Sequence, residues 1–267
     1  MPHLQTSVGR VAYSDTGSGP TLVLLHATLH DRHDYDSVVP ALAARHRVIA
    51  VDWPGHGESD ALPRGRQVTA GLLANVLEEV VLHRDLRDLR LIGNSVGGFA
   101  AARLAIRHSE RVTGLVLVDN GGFISNPLIR TFCRVLGTPA ITKRIMPRFV
   151  KSYMQPRTSS DHAIVERTVA RARTSEGTAL AASMWRSFAT PEHDLREQAD
   201  KLVAPTQILW GKRDRALPVS AGRATHQRLP HSHLEILDTG HVVFSSAPEE
   251  FLRVVEPFLA ALPVEHR

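Results

Sequence analysis

At 267 residues the chain is long enough for one large α/β domain or two small ones, and a chain of this size buries roughly three quarters of its unfolded surface without staples. Its one cysteine, Cys133, excludes an internal disulfide framework and suits a reducing compartment. The net charge of +5 is unevenly spread: residues 121–196 carry 12 Lys+Arg against 5 Asp+Glu, a balance of +7 that leaves the rest of the chain at −2. In that segment Arg130, Arg134, Lys143, Arg144, Arg148 and Lys151 alternate with apolar residues, the pattern of amphipathic helices with a solvated face. No nucleic-acid partner is expected, and the basic segment hints at an anionic small-molecule substrate. The opening MPHLQTSVGR has no signal-like apolar region, and no run approaches the ~20 apolar residues of a membrane span. A soluble, cytoplasmic protein with no membrane partner is the expectation; oligomeric state is not legible.

In chain order, short β-branched apolar runs predict strands at 10–15 (RVAYSD) and 21–26 (TLVLLH). The second runs into His26-Ala27-Thr28-Leu29-His30-Asp31-Arg32-His33-Asp34-Tyr35-Asp36, where three histidines and three aspartates fall within eleven residues. A metal cluster is one reading. His26 and His30 would align only on a helix, however, whereas this stretch reads as strand into loop, and it lacks the glutamate of HExxH. No metal is expected. Asp34 or Asp36 is expected instead to cap a helix within SVVPALAAR (37–45). A strand at 47–52 ends in DWPGHGES (52–59), whose His56 reads as structural. A helix at 67–83, a strand at 89–94, a helix at 97–107 and a strand at 114–119 follow.

Between about 121 and 196 the alternation stops. That region reads as helices punctuated by Pro127, Pro139, Pro147, Pro156 and Pro191, with Met146, Met154, Met184, Trp185 and Phe188 available to line a pocket. Alternation resumes with a strand at 206–211, a helix at 219–229, a strand at 233–238 and a helix at 248–261. Continuous apolar strands separated by helices predict an α/β fold, a mostly parallel twisted sheet with helices on both faces. The expected division is a core of 1–120 and 197–267 with a helical cap inserted at 121–196. In such sheets the chemistry sits beyond the carboxyl ends of the strands.

The most specific motif is LRLIGNSVGGFAAARLAI (89–106). A strand ends in Gly93-Asn94-Ser95-Val96-Gly97 and a helix starts at once, which is G-x-S-x-G in its strand–turn–helix context. The sharp turn exposes the Ser95 hydroxyl, and the small residues at 93 and 97 let the strand and helix backbones approach. A serine hydroxyl needs a base to take its proton and a carboxylate to orient that base. Asp214 follows a strand in ILWGKRDRALP, and His241 follows the last strand in LEILDTGHVVF. The order Ser95, Asp214, His241 is the one expected of this design. Asp119, ending GLVLVD, is a rival acid; Asp238 reads as a turn-former.

With these residues in place, the chain resembles an α/β-hydrolase-fold serine hydrolase with an inserted cap. The D-x-P-G-x-G-x-S turn (Asp52–Ser59), GNSVGG, GKRD and TGH carry the resemblance across nearly the whole chain. It is similar to esterase and lactonase members, and its GNS-x-GG elbow is also similar to those of meta-cleavage-product C–C hydrolases. Haloalkane dehalogenases and epoxide hydrolases of this fold use an Asp nucleophile, which Ser95 argues against. A Rossmann dinucleotide site would need G-x-G-x-x-G opening the first helix. The resemblance implies hydrolysis of an ester, lactone or related acyl compound through an acyl-enzyme, with no cofactor. The alternatives are C–C bond hydrolysis by the same triad and, from another class, a receptor-like ligand-binding protein with very slow turnover. The resemblance also assigns the oxyanion hole: the Val96 N–H, after the nucleophile, and the Thr28 N–H, where the family usually reads His-Gly-x and this chain has His26-Ala27-Thr28. Alanine in place of glycine restricts φ there. His30 is a candidate substrate contact.

Overall fold

Side chains on a strand sandwiched between helices meet apolar neighbours on both faces, and the central strands here are apolar accordingly. In the computed structural model, which describes residues 2–63 and 65–263, eight strands form one sheet. They are His3–Thr6 (β1), Gly9–Thr16 (β2), Thr21–Leu25 (β3), Arg47–Val51 (β4), Leu89–Asn94 (β5), Val112–Val118 (β6), Thr206–Gly211 (β7) and His233–Leu237 (β8). Their spatial order is β1-β2-β4-β3-β5-β6-β7-β8. β2 pairs antiparallel with β1 and β4; every other pairing is parallel. All six residues of β5 and of β7 are buried. Full burial of Leu24, Ile92 or Ile208 is worth about 1.5–3 kcal/mol each. The mostly parallel sheet is the one expected.

β1 was not anticipated. HLQT is only four residues, alternates exposed and buried, and gains its strand conformation by pairing His3 with Ala12 through Thr6 with Gly9. A run that short has too weak a pattern to stand out without its partner.

The helices are Val39–Ala43 (α1), Ala70–His83 (α2), Val96–Arg107 (α3), Pro127–Leu136 (α4), Pro139–Met154 (α5), Ser159–Ala172 (α6), Ser175–Ser187 (α7), Val219–Arg228 (α8), Val243–Ser246 (α9) and Pro248–Ala261 (α10). Every residue from Val96 to Ile106 is buried, so α3 lies in the middle of the molecule. α4–α7 all fall between β6 and β7, and their ends carry clear start signals. Asn126, Thr158 and Thr174 accept from the first-turn amides of α4, α6 and α7, and Thr158 with Asp161 forms a capping box. Pro127 and Pro139 occupy first-turn positions, where the missing N–H costs nothing. Arg134, Lys143, Arg144, Arg148 and Lys151 point into solvent. Among the described residues no helix is long and apolar enough to cross a membrane.

The capping expectation for α1 fails. Its N-cap is Val38, with no side-chain hydrogen bond. Asp31 caps a short 3-10 turn, Arg32–Tyr35, by accepting from the His33 N–H. Asp34 turns inward and is fully buried, while Asp36 pairs with His33 at the surface. The turn Asp52–Ser59 is held by the buried Asp52 carboxylate, which accepts from the Arg32 N–H at 2.8 Å, the Glu58 N–H at 2.9 Å and the Arg32 guanidinium.

Candidate active site

Ser95 stands between β5 and α3 with φ +56° and ψ −115°, a conformation that costs a non-glycine residue about 1–3 kcal/mol. The surroundings hold it there. The Ser95 N–H donates to Val118 O at 3.0 Å, and Ser95 O accepts from the Gly121 and Phe99 amides. A Cβ on Gly93 would strike the backbone of Gly97, and one on Gly97 would strike Leu25 O. The two glycines are therefore what allow strand, turn and helix to meet. Val96 supplies the first amide of α3, which has no acceptor within its helix.

His241 lies in the loop after β8. Its N–H donates to Tyr153 O at 3.0 Å, and its own carbonyl accepts from the Asn94 side chain at 3.0 Å, so the residue before Ser95 ties the two loops together. The His241 Nδ1 is 2.6 Å from Asp214 Oδ2. The other Asp214 oxygen accepts from the Ala216 and Leu217 amides at 2.6 and 3.1 Å, and that carboxylate side chain is fully buried. Ser95 and His241 line the same pocket, with Asp214 behind His241.

Asp119, the rival acid, is close by. A ligand atom each from Asp119, Asp214 and His241 lie within 4.8 Å of one another. An ion held by these three would compete with the Nδ1–Oδ2 hydrogen bond. Asp119 Oδ1 accepts from the Gly211 N–H at 2.9 Å. Burial, reinforced by the charge of Asp214, holds its pKa well above the usual carboxylate range. Its charged form is therefore disfavoured beside the Asp214–His241 pair.

The cavity has a volume of about 90 Å³. Its floor is the Ala27–Leu29 loop, Ser95, Val96 and Gly121; its roof comes from α4, α5 and α7 through Ile129, Met146, Phe149 and Trp185. Phe188 also lines it, whereas Met154 and Met184 pack elsewhere in the core. Thr28 faces the pocket with a buried hydroxyl that meets no partner among the described residues. Ala27 does not take a left-handed conformation; the loop puts its positive φ, +71°, at Leu29 instead. Replacing glycine by alanine therefore leaves the backbone at position 27 unstrained. The loop is anchored by His26, whose Nδ1 meets Ala27 O at 2.7 Å while Nε2 accepts from the Trp53 N–H at 3.0 Å. Burial lowers the His26 pKa, which suits a neutral ring in that role.

His30 is not in the pocket wall. It is 1% exposed, with Nδ1 bonded to Asp34 and Nε2 2.9 Å from the Tyr153 hydroxyl. The substrate-contact expectation is corrected in that respect: Tyr153 stands between His30 and the pocket. The other charged residues of the opening cluster are also engaged, Asp31 and Asp34 with Arg167 of α6 and His33 with Asp36.

Tyr153 and His193 line the pocket without having been anticipated. Met146, Val150 and Tyr153 form the buried stripe of α5, which marks an inward face but not what that face meets. His193 packs against Phe99 and Phe188, and burial pushes its pKa down to about 4. Cys133 also reaches the pocket, but burial raises its pKa to about 11, so it offers little thiolate at neutral pH.

Residues 22–254 match the Alpha/beta hydrolase family. The chain is similar to the pimeloyl-[acyl-carrier protein] methyl ester esterase of Aeromonas hydrophila, 30% identical over 255 residues that cover 91% of this chain and 96% of that one. It is similar to the 2-hydroxy-6-oxononadienedioate/2-hydroxy-6-oxononatrienedioate hydrolase of Cupriavidus pinatubonensis, at 29% identity over 94% of this chain and 90% of that one. Among solved structures, a thermophilic esterase from Thermogutta terrifontis superposes with a TM-score of 0.79 at 25% identity, covering 97% of each chain.

Proposed function

The chain belongs to the alpha/beta hydrolase family, and from that premise we propose a serine hydrolase that cleaves an ester, lactone or related acyl compound of a small molecule. The observation that carries this reading is Ser95 on a left-handed turn, facing one pocket with a histidine whose far nitrogen is 2.6 Å from a buried carboxylate. Ser95 Oγ attacks the carbonyl carbon while its proton passes to His241 Nε2. Asp214 holds the imidazole in the required tautomer and stabilises the imidazolium. The negative oxygen of the tetrahedral intermediate is received by the Val96 and Thr28 amides. Collapse breaks the bond to the leaving group, which takes the proton from His241. Water then cleaves the acyl-enzyme by the same steps, with His241 as base. The scheme uses no cofactor and no metal.

In this reading α4–α7, within 121–196, act as a cap over a core of 1–120 and 197–267, and the apolar roof favours an acyl chain. A cytoplasmic setting suits the single Cys133. C–C bond hydrolysis of the meta-cleavage-product type is the second reading, favoured by the similarity to the Cupriavidus pinatubonensis hydrolase. A screen of p-nitrophenyl esters graded by acyl length, with one vinylogous diketone included, separates the two. A serine-directed phosphonate should label Ser95. Absence of both turnover and label would leave only a ligand-binding role and sink the hydrolase reading.

A further inference from the structure

The pocket roof is mostly apolar, with the Cys133 thiol and the Trp185 indole among its lining, and it includes a single tyrosine. Tyr153, near the end of α5, lines the pocket, and a phenylalanine would fill the same space without burying a polar atom. Behind the hydroxyl runs a continuous chain. Tyr153 Oη lies 2.9 Å from His30 Nε2, His30 Nδ1 is bonded to Asp34 Oδ2, and Asp34 Oδ1 accepts from Arg167 at 2.8 Å. Arg167 Nε donates in turn to Asp31 at 2.6 Å. The His30 and Asp34 side chains have no exposed surface. The chain joins three separate parts of the fold: the segment after β3, α5 and α6. Burying a hydroxyl, an imidazole and a carboxylate is costly unless each is partnered, and here each is. The arrangement, hydroxyl then imidazole then carboxylate, repeats the order of Ser95, His241 and Asp214, and the Tyr153 ring packs edge-on to the His241 ring at 5.2 Å.

A phenol is a poor nucleophile while it keeps its proton, and burial raises the Tyr153 pKa far above the ordinary phenol value. Its use is therefore binding. A tyrosine hydroxyl has one donor and two acceptor positions. His30 takes one of these, and among the described residues the hydroxyl meets no second partner. When His30 Nε2 accepts, Tyr153 Oη is left as an acceptor; when Nε2 carries a proton, the phenol is left as a donor. A substrate hydroxyl can answer either polarity.

We propose that Tyr153 forms a hydroxyl-binding subsite, so that the preferred substrates are acyl compounds carrying a hydroxyl within a few atoms of the scissile carbonyl. Tyr153 touches the substrate; His30, Asp34 and Arg167 are positioning residues that fix the direction of its hydroxyl. The proposal rests on the serine-hydrolase reading of the same pocket.

The test uses the full chain and four substrates: ethyl butyrate, ethyl 2-hydroxybutyrate, ethyl 3-hydroxybutyrate and 2-hydroxyethyl butyrate, followed by pH-stat titration. The readout is the ratio of kcat/KM for each hydroxylated ester to that for ethyl butyrate, which does not change with the fraction of enzyme folded. For at least one hydroxylated ester the ratio should be about tenfold or more, the value of one well-made buried hydrogen bond. Tyr153→Phe should bring it to within about threefold of unity, and His30→Gln should give an intermediate ratio. A wild-type ratio near one for all three, a ratio unchanged in Tyr153→Phe, or no turnover of any ester by protein that a phosphonate labels at Ser95 would each overturn the subsite. Absence of both the label and any turnover overturns the serine-hydrolase reading instead.

Discussion

Asp214→Asn is the sharpest test of how His241 is set. The two Asp214 oxygens have different partners: Oδ1 accepts from the Ala216 and Leu217 amides, and Oδ2 faces His241 Nδ1 at 2.6 Å. In the asparagine variant the amide oxygen must stay on the Oδ1 side, because an NH2 there would confront two N–H donors. The NH2 is then aimed at His241 Nδ1, which can only accept. The ring proton moves to Nε2, the nitrogen that must receive the proton of Ser95, and the base is disabled with almost no change of shape. A wrong tautomer of this kind lowers kcat by roughly 10⁴, equivalent to about 5.5 kcal/mol of transition-state stabilisation. Stability should change little, since asparagine keeps the two amide contacts. The assay is kcat at saturating p-nitrophenyl ester, paired with the ¹⁵N shifts of His241 to read its tautomer. Asp119 is the internal control. Burial and the charge of Asp214 raise its pKa, and in Asp119→Asn the amide oxygen can still accept from Gly211, so that variant should lose no more than about tenfold. A loss under tenfold in Asp214→Asn with a loss above a thousandfold in Asp119→Asn would refute the assignment and give the acid role to Asp119.

Other perturbations probe different parts of the molecule. Ser95→Ala should lower kcat by on the order of 10⁶ and abolish phosphonate labelling; a smaller loss with retained label would place the nucleophile elsewhere. Arg32→Met leaves the fully buried Asp52 carboxylate without its guanidinium partner. It should cost about 3–5 kcal/mol in urea unfolding, and a cost under about 1 kcal/mol would show that the backbone amides alone satisfy Asp52. His56 sets a pH dependence. Its ring is fully buried, and burial, with Arg171 nearby, lowers its pKa well below 6.5. The unfolded chain takes up that proton as pH falls below about 6.5 while the folded chain does not, so stability is present at neutral pH and is lost on acidification, by up to about 1.4 kcal/mol per pH unit for this group. His56→Gln should reduce the difference in urea midpoint between pH 7 and pH 5; an unchanged difference would mean that the ring is protonated in the folded state.

Where a residue's job is set by its neighbours along the chain, the sequence by itself determined it. The short, mostly apolar runs of β3, β5 and β7, separated by helical stretches, read as strands covered on both faces, and they line up as a mostly parallel sheet. Gly93 and Gly97 around Ser95 determine a strand-to-helix turn, because a Cβ at either position would meet backbone. Loops after successive parallel strands open on one side of the sheet, so the places of Asp214 and His241 after β7 and β8 pointed to the side on which Ser95 stands, and the structure brings Ser95 and His241 to one pocket with Asp214 behind His241. Local patterns record which face of an element is apolar, not which other face it meets. The HLQT segment became β1 only because β2 lies beside it. His30 and Tyr153 are 123 positions apart, and Asp34 and Arg167 are 133 apart, so nothing nearby in sequence signals that they touch. HATLHDRHDYD offered metal-ligand chemistry, helix caps and a substrate contact with equal ease. Packing of α5 and α6 over that loop decided among them, by giving its buried histidine and aspartate partners drawn from across the fold.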